Sequence, residues 1–300
     1  MMSDLRIVDS HVHLWDLSRA RYGWLQDQPL PNNPAGDMSP IAHKNYLLDD
    51  YLVDTAGWRV DKIVHVEAGQ PIGQQLPETG WLQSLADQRG YPHGIVAGAD
   101  MLDPDLDALL EAHAARRNVR GMRQIICWHK DPLKTYTDHD LLHDPKWVEG
   151  FAKLARHGLS FDLQLYPSQM ATAAIIAARH PTIPMIVNHA GLPTDRDAAG
   201  IARWRQGLRL LAAQPQISIK ISGLGITDRA WTADSIRPVV LECIDAFGTE
   251  RAMFASDFPV ESVHGTFDAF YSAFDAITAD FSADERDRLF ARNAEAIYRL

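Results

Sequence analysis

Short apolar runs closed by polar residues alternate along this chain with longer amphipathic segments. The first run, Ile7-Val8-Asp9-Ser10-His11-Val12-His13, ends in two histidines. Its β-branched apolar start predicts a buried strand. Side chains alternate along a strand, so His11 and His13 share a face. Further strands are predicted over 62–67, 93–99, 119–126, 159–165, 183–189, 217–222 and 251–257. Helical periodicity falls between them, over 47–58, 77–91, 103–117, 145–157, 168–179, 202–213 and 233–247. Two more helical stretches, 266–278 and 283–300, close the chain. Two long loops break the rhythm, one after His13 and one from Cys127 to Asp144. Loops of that length in a compact enzyme usually belong to a site.

Eight strand-and-helix repeats predict parallel strands with crossover helices. Over about 250 residues that count is the arithmetic of a closed (β/α)8 TIM barrel. The expected class is therefore α/β, with residues 1–300 forming a single domain. An open doubly wound sheet would carry a glycine loop after its first strand. His11-Val12-His13-Leu14-Trp15 is not such a loop.

Composition narrows the function. Hydrophobic residues make up 46% of the 300, and the formal charge is −10. An acidic chain without a basic run is a poor nucleic-acid ligand. No apolar run is long enough to span a bilayer. The first residues lack a signal-peptide pattern. The two cysteines, Cys127 and Cys243, stand in no metal-type spacing. A reduced, cytoplasmic enzyme is the expectation.

Barrel active sites gather at the C-terminal ends of the strands. The predicted ends carry His11, His13, His65, Glu67, Asp100, Arg123, Gln124, Asp162, Gln164, Tyr166, Asn188, His189, Lys220, Ser222, Ser256 and Asp257. So many polar groups at one end are costly to bury without partners. Private hydrogen bonds can account for Asp162, Lys220 or Ser222, but hardly for the whole set. Strands 1 and 8 are neighbours in a closed barrel, which brings Asp257 to His11 and His13. Two histidines and a carboxylate suit Zn²⁺ or a similar divalent ion. Asp257 can equally serve as general base to a water. His189 is open to three roles: ligand, proton shuttle or oxyanion partner. Glu67 is a further candidate ligand, and Arg123 can hold a carboxylate or hydroxyls by its fork. Trp15, Trp24, Trp128 and His129 on the long loops are candidates for shaping the pocket.

Seven stretches, taken in order, resemble one family. They are residues 7–15, Gly121-Met122-Arg123, Asp162-Leu163-Gln164-Leu165-Tyr166-Pro167, Asn188-His189-Ala190-Gly191-Leu192-Pro193, Lys220-Ile221-Ser222-Gly223-Leu224, residues 254–260 and Asn293-Ala294-Glu295-Ala296-Ile297-Tyr298. Together they resemble the lactone-hydrolase branch of the amidohydrolase superfamily. Tyr22-Gly23-Trp24-Leu25 is more similar to its sugar lactonases than to its 2-pyrone-4,6-dicarboxylate lactonases.

The resemblance implies hydrolysis of a lactone, first of all a sugar-acid lactone, in carbohydrate catabolism. It implies catalytic His11, His13, His189 and Asp257, with Arg123 at the substrate; Gln124 and Tyr166, from their strand ends, and Trp15, from its loop, are further substrate-binding candidates. Any metal, Zn²⁺ first, falls to His11, His13, Asp257 and Glu67, although some members work without one. The expected partner is a small-molecule lactone, with no nucleic acid and no membrane, and a homo-oligomer is left open. Three departures stand out. Asp162-Leu163-Gln164 occupies the place of a decarboxylase metal-binding histidine. No lysine ends strand 4, which argues against a carbamylated binuclear centre. Asn188 and Gln124 stand where many relatives carry Asp and His. A metal-dependent amidase or decarboxylase on the same barrel is the alternative.

Overall fold

The computed structural model describes residues 5–300. Its strands are β1 (Arg6–Val12), β2 (Arg59–Val66), β3 (Gly94–Gly98), β4 (Val119–Ile125), β5 (Ser160–Gln164), β6 (Met185–Val187), β7 (Ile217–Ile221) and β8 (Ala252–Phe254). They pair in parallel and in sequence order. Just beyond β8 the chain returns to β1. Val12 bridges Phe258, His13 N–H donates to the Phe258 carbonyl at 2.8 Å, and Asp257 N–H donates to the His11 carbonyl at 2.9 Å. The fold is the expected (β/α)8 barrel, and the contact that closes it runs through the candidate site.

Period-2 alternation divides the buried side chains into two layers. Outward residues such as Ile7, Ile63, Ile95, Phe161, Ile219 and Phe254 pack under the helices against Leu82, Leu110, Trp147 and Phe274. Inward residues Val8, Val64, Val66, Val96, Ile186 and Met253 form a separate cluster closed by Ala291, Ala294 and Tyr298 of the last helical segment. Each fully buried side chain of this size contributes about 1.5–3 kcal/mol. Arg123, Asp162 and Lys220 alternate into the same interior.

Two expectations are corrected. β6 and β8 stop short of the predicted ends, because His189 and Asp257 have φ of 53° and 60°. Left-handed backbone cannot continue a ladder, and non-glycine residues held there concentrate at functional sites. The final helical stretch is not uniform. Ala283–Asp287 and Asn293–Tyr298 flank a wide π turn over Arg288–Arg292.

Strand β1 departs from simple alternation at the position that matters most. Asp9 pairs with Ile63 and Val12 with His65, so three residues of β1 oppose two of β2. That bulge reverses the facing of everything after it. Without it, His11 and His13 would follow Ile7 and Asp9 outward. With it, they enter the barrel.

Candidate active site

Four side chains meet inside the mouth of the barrel, all nearly or completely buried. His11 Nε2 lies 3.2 Å from His13 Nε2 and 3.4 Å from Asp257 Oδ1. His13 Nε2 is 3.2 Å from the same Asp257 oxygen. His189 Nδ1 is 3.8 Å from Asp257 Oδ2 and 3.1 Å from Ser222 Oγ. Gly223 (φ 63°) makes room for this ring, since a Cβ there would stand 2.6 Å from His189 Cβ.

Surrounding groups fix each member. His13 Nδ1 faces the Val66 carbonyl at 2.8 Å and must donate to it, which leaves Nε2 with its lone pair free. Asp9 holds the strand 8 turn from below. Its Oδ1 accepts from Ser256 N–H at 2.9 Å, and its Oδ2 accepts from Tyr51 Oη at 2.8 Å. Burial pushes the Asp9 carboxyl up to about 6.

Burial also sets the charge state of the cluster. It drives His11 and His13 well below the ordinary imidazole range, helped by Lys220 for His11 and Arg123 for His13. His189 falls to about 4, chiefly through burial, against the pull of Asp257. Asp257 is raised by burial, opposed by His189, Arg123 and Lys220. The result at neutral pH is three neutral imidazoles around one carboxylate.

Among the described residues, Arg123 is the cation lining the cavity, and its charge is already matched. Nε donates to Glu67 Oε1 and Nη2 to the Glu67 carbonyl, both at 2.6 Å, while Nη1 reaches Gln164 Oε1 at 3.1 Å. Glu67 Oε2 accepts from Gly69 N–H at 2.7 Å. Burial pushes the Glu67 carboxyl up, but Arg123 and the Gly69 N–H outweigh it and hold it below the usual value.

Donor atoms of His11, His189 and Asp257 lie within 4.8 Å of one another. Among the described residues, Asp257 Oδ2 is buried without a hydrogen-bond partner. A compact N,N,O set with an unsatisfied carboxylate oxygen fits a divalent cation. His13, with its free Nε2, stands beside that set. Glu67 stands outside it, with both carboxylate oxygens engaged.

Above the cluster opens a cavity of about 380 Å³. His13, Arg123, Gln164, His189 and Asp257 form its floor. Both long loops form its walls, through Trp24, Asn32, Asn33, Thr135 and Tyr136. The loops are tied together, since Asn32 Nδ2 donates to the Leu133 carbonyl at 3.1 Å. Asn32 and Asn33 read in the sequence only as turn residues, so their place in the wall had no local signal.

Three residues expected at the substrate do not line this cavity. Gln124 faces the helices, where its Oε1 accepts from Trp147 Nε1 and Met101 N–H and its Nε2 donates to Asp100. Trp15 is buried against Trp24 and Tyr46 and donates to the Lys44 carbonyl. Tyr166 donates its hydroxyl proton to the Lys134 carbonyl and so braces the second loop. Trp128 and His129 also stay outside the wall, whereas Trp24 is part of it.

Known proteins share this architecture. The amidohydrolase family model matches residues 8–300. An uncharacterised protein, y4mH, of Sinorhizobium fredii is 44% identical over the full length of both chains. An L-fucono-1,5-lactonase of Burkholderia multivorans is 30% identical, covering 100% of this chain and 97% of the relative. Among solved structures, an amidohydrolase from Burkholderia multivorans with bound zinc superposes with a TM-score of 0.79 at 26% identity, covering 99% of this chain and 100% of the other. With a family match over almost its whole length and a barrel whose mouth holds the histidine and aspartate cluster, the chain belongs to the amidohydrolase family.

Proposed function

We propose that this enzyme hydrolyses the ring ester of an uncharged sugar-acid lactone. The observation that carries the reading is the buried Oδ2 of Asp257, unpartnered among the described residues, beside neutral histidines at the floor of the cavity. In this reading Asp257 takes a proton from water, and the water oxygen bonds to the lactone carbonyl carbon. In this reading the carbonyl oxygen gains charge beside His189 and Arg123, which both line the cavity. Preorganised donors at such a point are worth roughly 3 kcal/mol each. Collapse breaks the bond to the ring oxygen, and Asp257 returns its proton there, so one water is consumed and one hydroxy acid released. A divalent ion held by His11, His189 and Asp257 would add Lewis acidity at the same carbonyl.

The charge balance of the wall supports a neutral substrate. Arg123 is neutralised by Glu67, and Asp257 adds a negative charge. Among the described residues, a substrate carboxylate would find no unmatched cation in this wall. The lactonase names of two relatives at 30% and 26% identity support the same class.

The test is a pH-indicator screen over neutral sugar-acid lactones and pyrone dicarboxylates, with and without Zn²⁺ or a chelator. Acid release from a neutral lactone is the expected result. Silence across the neutral panel, with turnover of a carboxylated ring or carbon dioxide release from an aromatic acid, would replace this reading.

A further inference from the structure

Most hydrogen-bond donors along the cavity wall are spent on the protein itself. Trp24 Nε1 donates to the Ala68 carbonyl at 2.8 Å, the Thr135 hydroxyl to the Thr137 carbonyl at 2.8 Å, and the Tyr136 hydroxyl to Asn33 Oδ1 at 3.4 Å. Gln164 departs from this pattern. It lines the cavity while only 6% exposed. Its Oε1 accepts from Arg123 Nη1 at 3.1 Å, and among the described residues its Nε2 has no hydrogen-bond partner. Arg123 fixes that orientation, because a turned amide would set its N–H groups against the guanidinium, donor against donor. Glu67 holds Arg123 in turn through two contacts of 2.6 Å. The amide therefore offers its NH2 group to the cavity, and a nearly buried donor left without an acceptor is costly.

Strand geometry decides which part of a substrate meets this group. β4 and β5 pair Arg123 with Asp162 and Ile125 with Gln164, so Gln164 stands one inward layer nearer the mouth than Arg123. β5 also lies across the barrel from β1 and β8, whose ends carry His13 and Asp257. Because Oε1 faces Arg123, Nε2 lies on the side of the amide away from the guanidinium. A lactone whose carbonyl reaches Asp257 thus brings the body of its ring to Gln164. The good acceptors on that body are hydroxyl oxygens.

We propose that Gln164 is a specificity-determining residue whose Nε2 donates to one ring hydroxyl of the lactone. The inference deepens the lactonase reading and rests on it. A bound substrate displaces water from the amide and must supply the acceptor itself. A lactone lacking that hydroxyl leaves a buried N–H unmet and is rejected. Selection then acts through hydroxyl position rather than through charge, in keeping with the matched Arg123–Glu67 pair.

The experiment measures kcat/KM for the neutral lactone that wild-type protein turns over best and for its monodeoxy analogues, one for each ring hydroxyl. The same set is run on Gln164→Met protein. In wild type, one analogue should fall about ten- to a hundredfold below the parent. In Gln164→Met that ratio should collapse toward unity, while the ratios at other positions hold. Ratios cancel any general loss of activity. Gln164→Glu is the second variant, and it carries the test should Gln164→Met not fold. It keeps an oxygen for Arg123 but removes the amide N–H groups, so it separates contact with the hydroxyl from bracing of Arg123. Loss of the same single ratio in Gln164→Glu agrees with the proposal; a wild-type ratio there assigns Gln164 to bracing and overturns it. Unchanged ratios in Gln164→Met, or no discriminating hydroxyl in wild type, overturn it as well. Silence of wild-type protein on every neutral lactone is a distinct result, which removes the lactonase reading and this inference together.

Discussion

Replacing Glu67 by glutamine tests whether charge matching of Arg123 selects the substrate. Glutamine keeps the shape and one oxygen for Arg123 Nε, while its amide nitrogen meets the Gly69 N–H and loses that bond. Wild-type charges are Arg123 and Asp257 in the cavity lining and Glu67 paired with Arg123 behind it, two negative against one positive. The substitution leaves one of each. A substrate carboxylate docking on Arg123 would lie one side chain away from the deleted charge. At an effective dielectric constant of about 20, a charge removed at that range is worth roughly 2–3 kcal/mol. That energy corresponds to a shift of roughly 30- to 160-fold in kcat/KM toward carboxylated lactones relative to neutral ones. The assay compares the two classes side by side on wild-type and Glu67→Gln protein by proton release. Breaking one half of a buried pair also costs stability, about 3–5 kcal/mol at most. A melting curve therefore accompanies the kinetics. A folded Glu67→Gln enzyme with unaltered preference between the two classes would refute the reasoning.

Other consequences follow from the same geometry. Asp257→Asn should lower kcat by several decades with the fold intact, because the amide cannot accept the proton of the attacking water; near-normal turnover with an unchanged circular dichroism spectrum would dismiss Asp257 as the base. Glu261 offers a pH test. It is buried and accepts from Gly225 and Ile226 N–H at 2.9 and 3.1 Å, yet burial and then the Asp257 charge push its carboxyl up to about 8. The folded state then holds a proton that the unfolded chain releases near 4.5. Stability is greatest on the acid side of that window and declines as pH rises through it, by on the order of 5 kcal/mol from this group alone. Glu261→Gln should flatten the decline between pH 4.5 and 8 in denaturant titrations, and an identical slope in both proteins would assign the effect elsewhere.

Much of the molecule was legible because the relevant signals are local. Alternating apolar runs and amphipathic stretches announce strands and helices wherever they occur, and eight repeats leave little choice but a barrel. Polar residues at the strand ends then point to one mouth. Local pattern misjudged the strand ends at His189 and Asp257, since left-handed backbone in a polar residue leaves no periodic trace. Gln124, Trp15 and Tyr166, expected at the substrate, are absent from the lining of the cavity; Gln124 turns to the helices, and the other two bond to backbone carbonyls of the loops.

The sequence by itself determined the barrel, the order of its strands and the identity of the residues gathered at its mouth. Tertiary structure decided what those residues are able to do. The bulge in β1 turns His11 and His13 inward, a choice made by pairing with β2. Glu67 neutralises an arginine 56 positions away, Lys220 faces a histidine 209 positions away, and Asp257 meets His13 across 244. Charge, tautomer and hydrogen-bond direction depend on such neighbours within a few ångströms. Only closure of the barrel brings them there, so no local pattern in the chain can encode them.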